Sequence, residues 1–128
     1  MKKEAALWLS YAYENLEVAR LLLEREFFNP CLQNVQQAIE KTLKAAMIAR
    51  GMGIRKSHSI QEISNLLRVD GLDAGISEDE CELIDSIYIS SKYPLGSVLP
   101  DFDPEESICG DCLRIGDRVY DLITKAIG

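Results

Sequence analysis

The chain has 128 residues, near the usual size of a single domain, and 47% of them are hydrophobic, enough for one core without disulfide or metal staples. Fourteen basic side chains against 21 acidic ones leave a formal net charge of −7, a poor balance for a protein that neutralises nucleic-acid phosphates without regard to sequence. No apolar run reaches the roughly 20 residues of a membrane helix, and Glu4, Glu14 and Glu17 interrupt any signal-peptide core. A single cytoplasmic domain over residues 1–128 is the expectation.

The first helix is predicted over about Lys3 to Glu26, with Trp8, Ala12, Leu16, Ala19 and Leu23 recurring at steps of three and four. Asn29-Pro30 then suggests a cap followed by proline at the first helical position. The second helix runs from there to Arg50, with Cys31, Val35, Ala38, Thr42, Ala45 and Ala49 on one stripe, and Gly51-Met52-Gly53 ends it. Ser59-Ile-Gln-Glu62 and Ser77-Glu-Asp-Glu80 both fit a capping box, predicting helices over about 59–69 and 77–91. A proline-bearing loop follows from Lys92 to Asp103. Asp103-Pro-Glu-Glu106 is the third start signal, opening a last helix with Ile108, Cys112, Ile115, Val119, Leu122 and Ala126 on its apolar line. Nothing alternates with period two over a strand length. Three long helices and two short ones with modest connections predict an all-α fold, an antiparallel up-and-down bundle of about five helices. Long amphipathic helices often extend their seam to a second subunit, so a homodimer is expected.

The charge is unevenly spread. Residues 41–58 hold Lys41, Lys44, Arg50, Arg55 and Lys56 with no acid, whereas residues 70–106 hold eleven acids and only Lys92. RNA binding across the whole surface is therefore not expected, and the basic stretch is the place for any anionic ligand.

Few residues carry recognisable chemistry. Cys109-Gly-Asp-Cys112 resembles a zinc or thiol-redox pair, but no second such pair and no paired histidines complete four ligands. Cys112 also lies on the apolar line, where a cysteine is ordinarily a small core residue. No cofactor and no metal are implied. His58 is the only histidine and directly precedes the Ser59 cap. Gln36, Glu40 and Lys44 lie four residues apart on one helical line, either a helix-supporting pair or a polar stripe facing a groove. In Ser90-Ser-Lys-Tyr-Pro94, Lys92 and Tyr93 offer a phosphate contact and a base-stacking ring, or else merely anchor the loop.

Taken together these motifs resemble the HEPN domain family, small helical domains named for nucleotide binding in higher eukaryotes and prokaryotes. The resemblance rests on four groups in order. These are Trp8 with Ala12, Leu16, Ala19 and Leu22-Leu23; Gln36-Gln37-Ala38 with Glu40-Lys41 and Lys44-Ala45; Lys56-Ser57-His58-Ser59-Ile60; and Tyr93-Pro94. It implies a five-helix bundle, commonly dimeric, often encoded beside a minimal nucleotidyltransferase as a two-component or toxin–antitoxin pair. Many members are metal-independent ribonucleases with an Arg-x(4–6)-His motif. Here the positions that motif would require to be arginine are Gly51, Met52 and Gly53, while Arg50 is one residue too far from His58 and Arg55 too near. The resemblance therefore points to a non-catalytic binding protein, the partner of a separately encoded nucleotidyltransferase and a possible nucleotide-binding module. Its candidate contacts are Gln37, Lys41, Lys44, Lys56, His58, Lys92 and Tyr93. The alternatives are a divergent ribonuclease toxin using His58 with Arg55 or Lys92, and a plain interaction bundle.

Overall fold

The computed structural model describes residues 1–53, 56–92 and 105–128, with side chains in the fourth helix through Ile89. Among them are five helices and no strand: α1 (Lys3–Glu24), α2 (Phe28–Ala49), α3 (Ile60–Val69), α4 (Glu78–Lys92) and α5 (Glu106–Ile127). The expected all-α bundle is the observed one.

α2 is the axis of the molecule. It packs against each of the other four helices, α1 also touches α5, and α3 packs on α4. Thirteen of its 22 residues are buried, including Leu32, Ile39, Leu43 and Met47 beside the predicted stripe. A helix enclosed on nearly every side must bring its polar residues inside with it, and that fact builds the site described below.

Two helix ends differ from expectation. α2 begins at Phe28 with Phe27 in the cap position, so Asn29 and Pro30 fall inside the first turn rather than opening it. Proline is tolerated there because the first four amides of a helix have no intrahelical acceptor to lose. Just before it, Phe27 N donates to Leu22 O at 2.8 Å and Glu26 N to Leu23 O at 3.0 Å, with Glu26 at φ +62°. This is a Schellman closure of α1 with glutamate where glycine is usual. α5 begins at Glu106 with Glu105 in the cap position. Asp103 and Pro104, read as its start signal, lie outside the described residues.

The two short helices begin where their capping boxes put them. Ser77 Oγ accepts from Glu80 N at 3.1 Å while Ser77 N donates to Glu80 Oε1 at 2.9 Å. At α3 the box is relayed. Ser59 Oγ accepts from Glu62 N, but Ser59 N donates to Ser57 Oγ, which in turn donates to Glu62 Oε2. α5 approaches α1 and α2 closely at Gly116, where a Cβ would stand 3.0 Å from Leu16 Cδ2 and 3.4 Å from Val35 Cγ1.

All four cysteines are buried. Burial pushes the thiols of Cys109 and Cys112 up to about 12, and Cys109 Sγ donates to Phe28 O. They are packed core thiols, not exposed nucleophiles.

Candidate functional site

The polar line of α2 faces inward. Gln36, Glu40 and Lys44 are 2%, 5% and 6% exposed, and charges so deeply enclosed persist only with partners. Lys44 Nζ donates to Glu40 Oε2 at 2.9 Å and Gln36 Nε2 to Glu40 Oε1 at 3.1 Å. Gln37 Nε2 donates to Gln36 Oε1 at 2.9 Å, extending the chain of bonds to the rim.

The remaining partner of Glu40 comes from outside the helix. His58 Nδ1 is 3.1 Å from both Glu40 oxygens. Burial by itself would push the Glu40 carboxyl up. The donors Lys44, His58 and Gln36 outweigh it and hold the group below its usual value. An ionised carboxylate only accepts, so the ring presents an N–H at Nδ1. Proton exchange or hydrogen bonding with a ligand then falls to Nε2.

α4 completes the arrangement. The Tyr88 ring stacks on His58 with centroids 4.7 Å apart and planes 15° from parallel. Three residues earlier, Asp85 accepts from Ile60 N at 2.6 Å, Gln61 N at 3.2 Å and Ser59 Oγ at 3.2 Å. A carboxylate across the first turn of α3 satisfies its orphan amides and complements the helix dipole. It also fixes the His58-Ser59 segment against α4. The result is a cavity of about 340 Å³ lined by His58, Ser59, Asp85, Tyr88 and Ile89, with the histidine side chain 48% exposed.

Of the seven candidate residues, the structure brings Gln37, Lys44 and His58 into one network whose hub is Glu40. Lys41 turns the other way, its Nζ donating to Asn15 Oδ1 at 2.8 Å in a polar seam between α1 and α2 that Asn15 extends to Asn34. Lys56 is exposed, two residues before His58. Lys92 closes α4; its side chain, Tyr93 and the alternative catalytic partner Arg55 lie outside the described residues. The basic stretch is thus less available than its sequence suggests. Lys41 and Lys44 are bonded internally, and Arg50 pairs with Asp70 at 2.6 Å.

Glu40, Asp85 and Tyr88 were not among the candidates. Glu40 had a signal, since its line with Gln36 and Lys44 lies on a helix otherwise rich in apolar residues. Asp85 and Tyr88 had none, because their roles exist only once α4 packs beside the start of α3.

The model of the HEPN domain matches residues 5–127 of this chain. The Methanocaldococcus jannaschii protein named "Putative toxin MJ1304" is 26% identical over 133 residues, covering 94% of this chain and 86% of the relative. Two solved structures share the fold. ST0689, an archaeal HEPN homologue, aligns with a TM-score of 0.73 at 20% identity over 99% of this chain and 100% of its own. TT1696 from Thermus thermophilus aligns with a TM-score of 0.76 at 23% identity over 97% of this chain and 98% of its own.

Proposed function

Because this chain belongs to the HEPN domain family, we propose that it is a non-catalytic binding module that takes a nucleotide at the His58–Tyr88 pocket and serves as the partner of a separately encoded minimal nucleotidyltransferase. The observation that carries the reading is the half-exposed, rigidly backed histidine, stacked on a tyrosine at a cavity of about 340 Å³. A nucleobase gains from stacking on such a ring pair, and the cavity volume is in the range of small-molecule sites. With Nδ1 committed to Glu40, Nε2 can hydrogen-bond a base edge or a phosphate oxygen. Lys56 is close by in the chain to meet a phosphate. The partner half of the reading rests on the family resemblance.

Calorimetric titration of the purified protein with adenine and guanine mononucleotides tests the nucleotide half. Saturable binding lost in both Tyr88→Ala and His58→Ala supports it, and no heat with any of them sinks it. Co-expression with a neighbouring nucleotidyltransferase tests the other half. A complex that survives purification supports the partnership, and two proteins eluting separately refute it.

A second reading, a divergent metal-independent ribonuclease of the toxin kind, is favoured by one specific feature. A carboxylate that holds Nδ1 of a half-exposed histidine is the arrangement that orients a general acid–base. The toxin name of the M. jannaschii relative points the same way. Incubation with RNA separates the two readings. Cleavage abolished by His58→Ala, in a variant that still melts cooperatively, would replace the non-catalytic reading.

A further inference from the structure

The polar atoms on the wall of the His58 cavity are acceptors. Asp85 stands there because it caps α3, but the cap does not use all of its carboxylate. Oδ2 takes two bonds, from Gln61 N and from Ser59 Oγ, each at 3.2 Å, and Oδ1 takes one, from Ile60 N at 2.6 Å. A carboxylate oxygen has room for two, so Oδ1 keeps a lone pair beside the cavity that Asp85 lines. Ser59 has no proton to offer, since its hydroxyl already donates to Asp85. His58 turns its Nδ1–H to Glu40, so Nε2 of the neutral ring is an acceptor as well.

Charge points the same way. Glu40, behind the histidine, is balanced by Lys44. The partners of Asp85 are two amides and a hydroxyl, none of them a cation. A phosphate at this wall would meet an uncompensated negative charge, whereas a polarised N–H is drawn to it. We infer that the cavity selects guanine over adenine nucleotides, with Asp85 as the residue that determines the choice. The inference rests on the nucleotide reading above and sharpens it: the base enters and the phosphate stays out.

The pairing edge of guanine carries two adjacent donors, the N1–H and the 2-amino group, one for each free acceptor. Adenine has one donor group, its 6-amino, flanked by the lone pairs of N1 and N7. Setting either nitrogen against Asp85 Oδ1 or His58 Nε2 would leave two acceptors facing each other, with neither satisfied. The N3–H of uracil lies between two carbonyls and meets the same objection. Stacking agrees with the edge contacts. A base bonded in plane to Nε2 extends the imidazole plane, which lies 15° from that of Tyr88, the near-parallel attitude that offset stacking requires.

Calorimetric titration with guanosine, inosine and adenosine 5′-monophosphates tests the selection, at pH 8 and so above the ordinary histidine value of roughly 6.5. Guanosine monophosphate is expected to bind about tenfold tighter than adenosine monophosphate, the effect of one hydrogen bond to a charged group. Inosine monophosphate, which keeps the N1–H and lacks the 2-amino group, falls between them. Asp85→Asn removes the charge and lowers the guanosine-to-adenosine ratio toward one. Equal affinity for guanosine and adenosine overturns the inference and leaves nucleotide binding standing. Inosine binding as tightly as guanosine also overturns it, because nothing then reads the amino group. So does a cooperatively melting Asp85→Asn protein that keeps the wild-type ratio. Should that variant not fold, the inosine comparison decides on the wild-type protein alone. Heat from none of the three ligands overturns this inference together with the nucleotide reading beneath it.

Discussion

Glu40 shows how one buried carboxylate ties a site to the stability of the molecule. It accepts from Lys44, Gln36 and His58, and two different constraints place those three donors. Lys44 follows by helical spacing on α2, Gln36 likewise one turn earlier, and His58 only because the chain returns along α2 before α3. A buried ion pair contributes little net stability compared with apolar side chains of the same shape, yet breaking one half strands the other charge. Glu40→Ala is therefore expected to lower stability by about 3–5 kcal/mol, since Lys44 would remain enclosed without its partner. Urea denaturation measures this, and a loss below about 1 kcal/mol would show that Lys44 escapes to solvent. The double variant Glu40→Met with Lys44→Met is expected to recover most of the loss while releasing the His58 ring. It thereby separates stability from ligand binding. If nucleotide affinity survives in the double variant, Glu40 does not position the histidine for binding.

At the scale of elements, what the sequence reveals depends on how local the cause is. The starts of α3 and α4 were legible to within one residue because a capping box is a contract among four consecutive residues. The start of α2 was not, because Pro30 fits anywhere in a first turn and the competing cap, the Glu26–Phe27 closure, has no glycine to announce it. Periodicity found Cys31, Val35, Ala38, Thr42 and Ala45, all buried, put Ala49, only half-buried, with them, and missed Leu32, Ile39, Leu43 and Met47. A one-face template is the wrong one for a central helix. The site was half legible for the same reason. His58 and Lys44 stand out by residue type, while Asp85 and Tyr88 acquire their roles from α4 packing beside α3. Two substitutions test these local accounts. Glu26→Gly is expected to raise stability by a few tenths of a kcal/mol up to about 1, since a left-handed conformation costs a non-glycine residue more than glycine's extra entropy. A fall in the unfolding midpoint would mean that the Glu26 side chain makes a compensating contact. Asp85→Ala leaves the Ile60 and Gln61 amides and the Ser59 hydroxyl without their acceptor and is expected to cost about 1–3 kcal/mol. Amide hydrogen exchange places that loss: faster exchange confined to α3 agrees, and uniform loss across α1 and α5 does not.

Over the whole molecule, bonds to side-chain carboxylates join different pairs of elements. Glu40 joins α2 to the segment before α3. Glu80 accepts from Arg118 and so joins the start of α4 to α5, while Glu17 and Asp117 share Arg20 between α1 and α5. For Glu80, burial pushes the carboxyl up, and the Ser77 amide and Arg118 outweigh it; for Glu17, bonds from Arg20 and Tyr13 draw it down. A carboxyl with a depressed folded value contributes stability above its unfolded value and surrenders it as pH falls through the folded one. The bundle should therefore be insensitive to pH from neutrality down to the ordinary carboxylate value of 4.5 and lose stability below it. The buried thiols set the opposite limb. Cys109 and Cys112 are raised from 9.0 to about 12, so the stability linked to them is intact below pH 9 and lost as pH climbs above it. Glu17 and Glu80 are only partly buried and solvent screens their pairings, so the acid limb belongs mainly to Glu40. Thermal unfolding followed at pH 7, 5, 4 and 3 checks the argument. The wild-type midpoint should hold between pH 7 and 5 and drop steeply by pH 3. Glu40→Gln should start lower and drop less, because its side chain has no proton to gain. Parallel acid limbs in the two proteins would move the linkage from Glu40 to the surface ion pairs and leave the buried pair without a role in acid unfolding.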